Sequence, residues 1–216
     1  MIEPRSFAAV VSTLEAAFTR PLPGASAQAR MAPRPRREWP AGFNPARIRD
    51  AAGLLLLFPV ADRPHIVLTV RADTLGRHSG QVSLPGGVVE PGETFEQAAV
   101  REAHEEVALP PDGIGLLGTL TPLDIPVSGF RLHPVVATRS APPPIHPSDG
   151  EVARILTVPV DELLDPMRMV SVQRVADGRT VDAPAFRVGD DEIWGATAMV
   201  LAEFLTLLGW SGPPGE

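Results

Sequence analysis

The sequence predicts an α/β protein of the α+β type, in which a mixed β-sheet is sandwiched between helices. Three observations predict it. Apolar runs of strand length at 50–58 and 65–71 precede a helical pattern at about 94–107, and strand patterns at 115–121 and 132–138 follow it. A strongly apolar stretch at 197–210, "TAMVLAEFLTLLGW", reads as a closing helix. The 216 residues are 44% apolar, enough for one substantial domain with its own core.

Taken in order, residues 6–19 show helical periodicity, with Phe7, Val10, Val11, Leu14 and Phe18 along one side. Residues 20–47 are rich in Pro, Ala and Arg, which predicts an extended, solvated linker; its "RPRR" run (34–37) has the charge to meet phosphate or an acidic partner. The expected division is an N-terminal helix and Pro/Arg-rich extension over 1–47 and a single folded domain over 48–212. Residues 139–150 read as a loop, and "VPVDELLD" (158–165) as a turn into a short helix. Strands at 168–175 and 185–189 are expected to form a hairpin around "ADGR" (176–179). Trp194 stands just ahead of the final helix, whose apolar face is expected to close the sandwich.

There is no cysteine, so disulfides, thiolate metal sites and a cysteine nucleophile are excluded. All 19 basic residues are arginine, which excludes a Schiff-base lysine and a phosphate-loop lysine. The net charge of -7 is uneven: residues 1–50 carry eight arginines against four acids, and the remainder 11 against 22. An acidic body argues against general nucleic-acid binding and suits a site that recruits divalent cations. The start of the chain lacks a basic segment followed by a long apolar one, and the longest apolar run (51–60) is too short to span a bilayer. A soluble, cytoplasmic protein is expected, with no membrane partner; the apolar helices and the N-terminal arm also permit a homodimer.

The chemistry lies in "LPGGVVEPGETFEQAAVREAHEEVAL" (84–109). Thr94 is a suitable helix start. On a helical wheel Ala99, Val100, Ala103 and Val107 share one arc, while Glu102, Glu105 and Glu106 cluster on a neighbouring arc through i+3 and i+4 spacing. The apolar arc can pack on a sheet while the acids point into a cleft. Like charges so placed destabilise a helix by roughly 0.2–0.5 kcal/mol per pair. A bound divalent cation reverses that sign, because hard ions take carboxylate oxygens. By itself a glutamate-rich helix is usually a solvated acidic face, and Arg101 could neutralise a neighbour in a purely structural role.

The full spacing separates these readings. Gly87, five residues, Glu93, seven residues, then Arg101-Glu102-Ala103-His104-Glu105-Glu106-Val107-Ala108-Leu109 closely resembles the Nudix box. That box runs glycine, five residues, glutamate, seven residues, Arg-Glu, an apolar residue, any residue, Glu-Glu, any residue, glycine, apolar. Ala108 departs from it, standing where the box has glycine, and Ala103 is a small filler of the apolar slot. The resemblance implies a Nudix-like α/β/α sandwich with the carboxylate helix packed on a mixed sheet. It also implies an enzyme that hydrolyses a diphosphate linked to another moiety, a small-molecule nucleotide derivative, with Mg²⁺ or Mn²⁺. By motif position Glu102, Glu105 and Glu106 would bind metal, with Gly86 beside them. Glu93 would support the site and Arg101 would orient the glutamates by ion pairing. Gly86 and Gly87 would let the backbone turn sharply and approach the substrate. Glu105 or Glu106 would accept the attacking water's proton; Glu151, in "SDGEVA", is a second candidate base or a surface acid.

Residues 68–87, "LTVRADTLGRHSGQVSLPGG", resemble the signature of the coenzyme A diphosphatases within that superfamily. Leu68, Thr69, Arg71, Gly80, Pro85, Gly86 and Gly87 match it. Ala72 replaces a serine, Leu84 replaces a phenylalanine, and Gly76 stands where a second arginine is expected, with Arg77 one step later. A guanidinium supplies a bidentate fork for a phosphate such as the 3′-phosphate of coenzyme A. Arg71 would be that group; Arg77 either reaches the same phosphate or faces solvent. His78 would bond phosphate or the turn backbone, and Gly80 and Gly87 would line the substrate. Segments 118–137 and 192–201 continue the resemblance, which spans roughly 48–205. The implied reaction splits coenzyme A or its thioesters into 3′,5′-ADP and (acyl-)4′-phosphopantetheine. The alternatives are hydrolysis of another nucleoside diphosphate derivative, such as a nucleoside triphosphate or ADP-ribose, and a catalytically silent nucleotide-binding module.

Overall fold

The computed structural model describes residues 5–72, 80–148, 150–176 and 179–213. Its frame is set by the run "GLLLLF" in β1 (Arg49–Val60). Successive side chains of a strand point to opposite faces, so an uninterrupted apolar run is stable only with both faces covered. Leu54, Leu56 and Phe58 join Val67, Val135 and Ala137 under one helix, while Leu55 and Leu57 join Ile66, Leu68 and Val136 under another. The first helix is α3 (Phe95–Val107) and the second α5 (Gly195–Leu207), giving an α/β/α sandwich.

The sheet is mixed. β1 runs antiparallel to β2 (Arg63–Arg71) and to β4 (Gly86–Val88), and parallel to β7 (Phe130–Thr138). β3 (Val82–Ser83) and β8 (Val152–Pro159) pair with β2, while β5 (Gly115–Thr119) and β6 (Leu123–Ile125) pair with β7. β4 and β2 use different stretches of β1: Ala51–Gly53 for β4 and Leu57–Val60 for β2. The Pro85-Gly86-Gly87 corner is thereby placed within the sheet, beside α3.

Thr94 caps α3, accepting the Gln97 N–H while the Gln97 side chain accepts the Thr94 N–H, a reciprocal capping box. Ala98, Ala99, Ala103 and Val107 are the buried residues of this helix. Val100, expected among them, lies at the rim of a shallow groove with Glu96, Gln97, Arg101 and Leu116.

The region expected to be a solvated linker is not wholly so. After α1 (Phe7–Phe18) it forms a short helix, α2 (Gly24–Ala29), that packs on α5 and buries Ala27, Gln28, Met31 and Ala32. An Ala/Gly/Ser composition carries no periodic signal; the apolar face of α5 supplies the order. β8 also escaped prediction, because its burial does not alternate. After α4 (Val160–Leu164), the expected hairpin is a separate three-stranded antiparallel sheet: β9 (Met169–Ala176), β10 (Arg179–Val188) and β11 (Asp191–Trp194). Its Phe186 and Ile193 enter the α5 core, whereas Trp194 packs on a small cluster of Val172, Ala183 and Ala185 on the opposite face. No helix among the described residues is long and apolar enough to cross a membrane.

Candidate active site

Arg101 is the hub of the α3 flank. Its Nε and Nη2 donate to the two oxygens of Glu93 at 2.7 and 3.0 Å, a bidentate pair. Nη1 donates to Glu102 at 2.9 Å and to Glu105 at 3.2 Å, and Nη2 also donates to the Val88 carbonyl at 2.9 Å. One guanidinium therefore ties β4, the loop before the helix and two of the repelling acids together. Glu93 is further held by the Glu90 N–H at 3.0 Å.

The glycines fix how closely β4 approaches this flank. A Cβ at Gly87 would lie 2.5 Å from the Glu102 carboxyl carbon, and one at Gly86 would lie 2.3 Å from the Ala52 carbonyl oxygen. At Gly86 a side chain would force the backbone to move, whereas at Gly87 it would displace the Glu102 carboxylate. The Gly86 N–H donates to Glu106 Oε2 at 3.2 Å, so the turn residue itself orients a carboxylate.

Environment splits the acids. The Arg101 hydrogen bonds, aided by the Glu90 N–H, hold the Glu93 carboxyl below the ordinary carboxylate range. Burial pushes the Glu102 carboxyl up, against the pull of Arg101, and the neighbouring Glu105 and Glu93 charges add to the rise. The Arg101 guanidinium is raised further above its ordinary value, chiefly by Glu93. Glu102 is 17% exposed and Glu105 54%, so the flank runs from a sheltered acid to a solvated one.

The helix ends at Ala108, in the left-handed region at φ 53° and ψ 30°. This is the position where the box has glycine, and the alanine Cβ there is strained. The chain still makes the turn: the Leu109 N–H donates to the Ala103 carbonyl at 3.3 Å, and His104 Nδ1 lies 2.9 Å from the Leu109 carbonyl.

Arg71, at the end of β2, donates to Glu151 Oε2 at 3.2 Å; the two side chains are 41% and 49% exposed. The Ala72 N–H donates to the Glu151 carbonyl at 2.8 Å, which fixes the backbone below the pair. Gly80 and Gln81 fold back on Arg71 through backbone hydrogen bonds of 3.1 and 3.0 Å. Arg77 and His78 lie outside the described residues. Thus Arg71 and Gly80 come together at the ends of β2 and β3, and Gly86 and Gly87 on β4 lie against α3, where Arg101, Glu102, Glu105 and Glu106 stand with Glu93 in the loop before the helix. Sequence reasoning did not find the stack beneath the helix start, where Phe95 lies on His133 with centroids 3.6 Å apart and His133 Nε2 is 2.8 Å from Asp50. Its members are remote in sequence and match no spacing pattern.

The donor set on the flank is entirely carboxylate oxygen, the chemistry that Mg²⁺ and Mn²⁺ select. Among the described residues no group of three acidic or histidine side chains is gathered around a single point, since Arg101 sits between Glu102 and Glu105. The residues suit an ion in kind and in placement along one flank.

A model of the NUDIX domain matches residues 47–177. Among curated proteins, the chain is 33% identical over 165 residues to the "Uncharacterized Nudix hydrolase NudL" of Pectobacterium atrosepticum, covering 75% of this chain and 84% of that one. It is 36% identical over 159 residues to the protein of the same description from Cronobacter sakazakii, covering 71% and 81%. Among solved structures, a MutT/nudix family protein from Enterococcus faecalis superposes with a TM-score of 0.52 at 16% identity, over 80% of this chain and 65% of that one, a likeness of fold.

Proposed function

The chain belongs to the Nudix family of hydrolases, which act on diphosphate linkages with divalent metal ions, and on that premise we propose that its substrate is coenzyme A or a coenzyme A thioester. The products would be 3′,5′-ADP and (acyl-)4′-phosphopantetheine. The observation that carries this reading is the convergence of two motifs: the Arg71–Gly80 hairpin side of β2 and β3 runs directly into the Gly86–Gly87 corner against the α3 acids.

Glu102, Glu105 and Glu106 would hold Mg²⁺ or Mn²⁺, next to the Gly86 backbone. When bound, the ion supplies charge neutralisation on the diphosphate and a more acidic attacking water. Glu105 must rotate away from Arg101 to join such a site, which its exposed position allows. Glu105 or Glu106 accepts the water's proton. Arg101 orients the acids and Glu93 anchors Arg101. Gly87 admits the diphosphate close to the backbone, with Gly80 lining the approach. Arg71 binds a peripheral phosphate; its exposed ion pair with Glu151 is worth about 1 kcal/mol or less and yields readily to a dianion. By motif position Arg77 and His78 would be further candidates for that phosphate. Residues 48–212 would form the hydrolase unit and 1–47 an N-terminal extension, whose α1 and α2 pack on that unit. Gly76 in place of the expected arginine favours a second reading, a nucleoside diphosphate derivative without a 3′-phosphate.

The test is product analysis with Mg²⁺ and with Mn²⁺ on coenzyme A, 3′-dephospho-coenzyme A, ADP-ribose and nucleoside triphosphates. Coenzyme A should be turned over best. Arg71→Ala should raise KM for coenzyme A about tenfold, and less for the 3′-dephospho form. Equal effects on both would remove Arg71 from 3′-phosphate recognition; preference for ADP-ribose would replace the substrate assignment.

A further inference from the structure

The domain model ends within the second sheet, with β9 inside the matched residues and β10 and β11 beyond them. Strand alternation sends Ile193 into the core shared with α5 and turns Trp194 to the outer face, where Arg174 stands over its ring with the guanidinium carbon 5.8 Å from the centroid. Gly80, Gln81, Arg174, Asp190, Asp191, Glu192 and Trp194 line a cleft of about 330 Å³ there. That is within the range of small-ligand sites. The cleft walls are fixed: Arg154 of β8 pairs with Asp191, and Thr197 Oγ1 donates to the Val82 carbonyl at 2.9 Å.

We propose that this cleft holds the heteroaromatic base of the nucleotide substrate, a purine with an exocyclic amino group, stacked on the Arg174–Trp194 platform. Three observations carry it. A guanidinium layered on an indole offers a flat face of the kind on which bases stack. The walls present donors (Gln81 side-chain amide, Arg174) beside acceptors (Gln81 side-chain carbonyl, Asp190), the mixed edge an aminopurine needs, while Asp191 is taken up by Arg154. Glu192 accepts from Arg174, which holds the guanidinium beside the indole before a base arrives. Position agrees: the Gln81 carbonyl accepts from the Arg71 N–H, and only four residues separate Gln81 from Gly86, at most about 18 Å of chain. A base in the cleft would leave its phosphates pointing at the Gly86–Gly87 corner. The inference rests on the reading that the substrate is a nucleoside diphosphate derivative, and it adds where the nucleoside end sits.

The test uses Arg174→Ala in the full chain, with Arg63→Ala, an exposed arginine paired with Asp161, as a control away from the cleft. Arg174→Ala should raise KM for the nucleotide substrate about tenfold, the size of one base-stacking contact, with kcat within twofold. Adenosine monophosphate should inhibit the wild type more strongly than ribose 5-phosphate, and Arg174→Ala should erase that difference; Arg63→Ala should preserve it. An unchanged KM and unchanged preference in Arg174→Ala, or the same loss in both variants, overturns the assignment. If the wild type hydrolyses no nucleoside diphosphate derivative, the functional reading fails; calorimetry of adenosine monophosphate against ribose 5-phosphate on wild type and Arg174→Ala still decides the cleft.

Discussion

Two groups of glutamate on opposite faces of the sheet are held by opposite means. On α5, Glu203 is completely buried and accepts hydrogen bonds from the Gly24 N–H, the Gln28 Nε2 and both the N–H and hydroxyl of Thr121, at 2.6–3.3 Å. Every partner is a neutral donor, fixed in place by α2 or by the turn between β5 and β6. On α3, Glu102 and Glu105 share one guanidinium and remain open to water to different degrees. A full set of neutral donors immobilises a carboxylate and leaves it nothing to exchange. A single shared cation at a surface leaves lone pairs that another cation can take. The contrast separates an acid that ties α2 to α5 from acids that keep exchangeable lone pairs.

The largest expected effect breaks the contrast on the α3 side. Glu106→Gln should lower kcat by about 10²–10³-fold, equivalent to roughly 3–4 kcal/mol, while the melting temperature stays near that of the wild type. Unimpaired turnover would remove Glu106 from the site. On the other side, Glu203→Ala strands buried donors and should destabilise the fold by about 3 kcal/mol, lowering Tm by roughly 6–12 °C, with kcat at 25 °C unchanged. Loss of activity without loss of stability would erase the distinction between the two groups.

Carboxyl titration by NMR sharpens the comparison within α3. Arg101 lowers Glu93, so the stability Glu93 contributes is present above the ordinary carboxylate pKa and is lost as pH falls through its depressed folded value. Burial raises Glu102, so its contribution is present below the ordinary pKa and is lost as pH rises through its elevated folded value. Glu102 should therefore titrate at higher pH than Glu93; coincident values would refute the split. The smallest effect is at the helix end. Ala108→Gly relieves a left-handed alanine and should stabilise by about 1 kcal/mol, or roughly 2–4 °C in Tm. A lower Tm would show that Ala108 is not strained.

Legibility in the sequence followed interaction range. The i+3 and i+4 positions of Glu102, Glu105 and Glu106 place them on one flank whatever the rest of the chain does, because helix geometry sets the angle between them. The run from Leu54 to Phe58 likewise demands cover on both faces. Glu203 reads as an ordinary polar residue in an apolar helix, and Gln28 as part of a linker; neither names the other across 175 positions. The same holds for Arg71 with Glu151, and for Arg174 with Trp194.

From its sequence alone the chain determined the box residues, the corner glycines and the two-faced central strand, since each follows from bond geometry within a few residues. Tertiary structure alone decided that Arg101 serves three carboxylates, that α2 docks on Glu203 and that a second sheet stands beside Gly80. Those pairings depend on which surfaces pack when the whole chain closes, and packing selects partners by shape and unmet hydrogen bonds rather than by spacing along the chain.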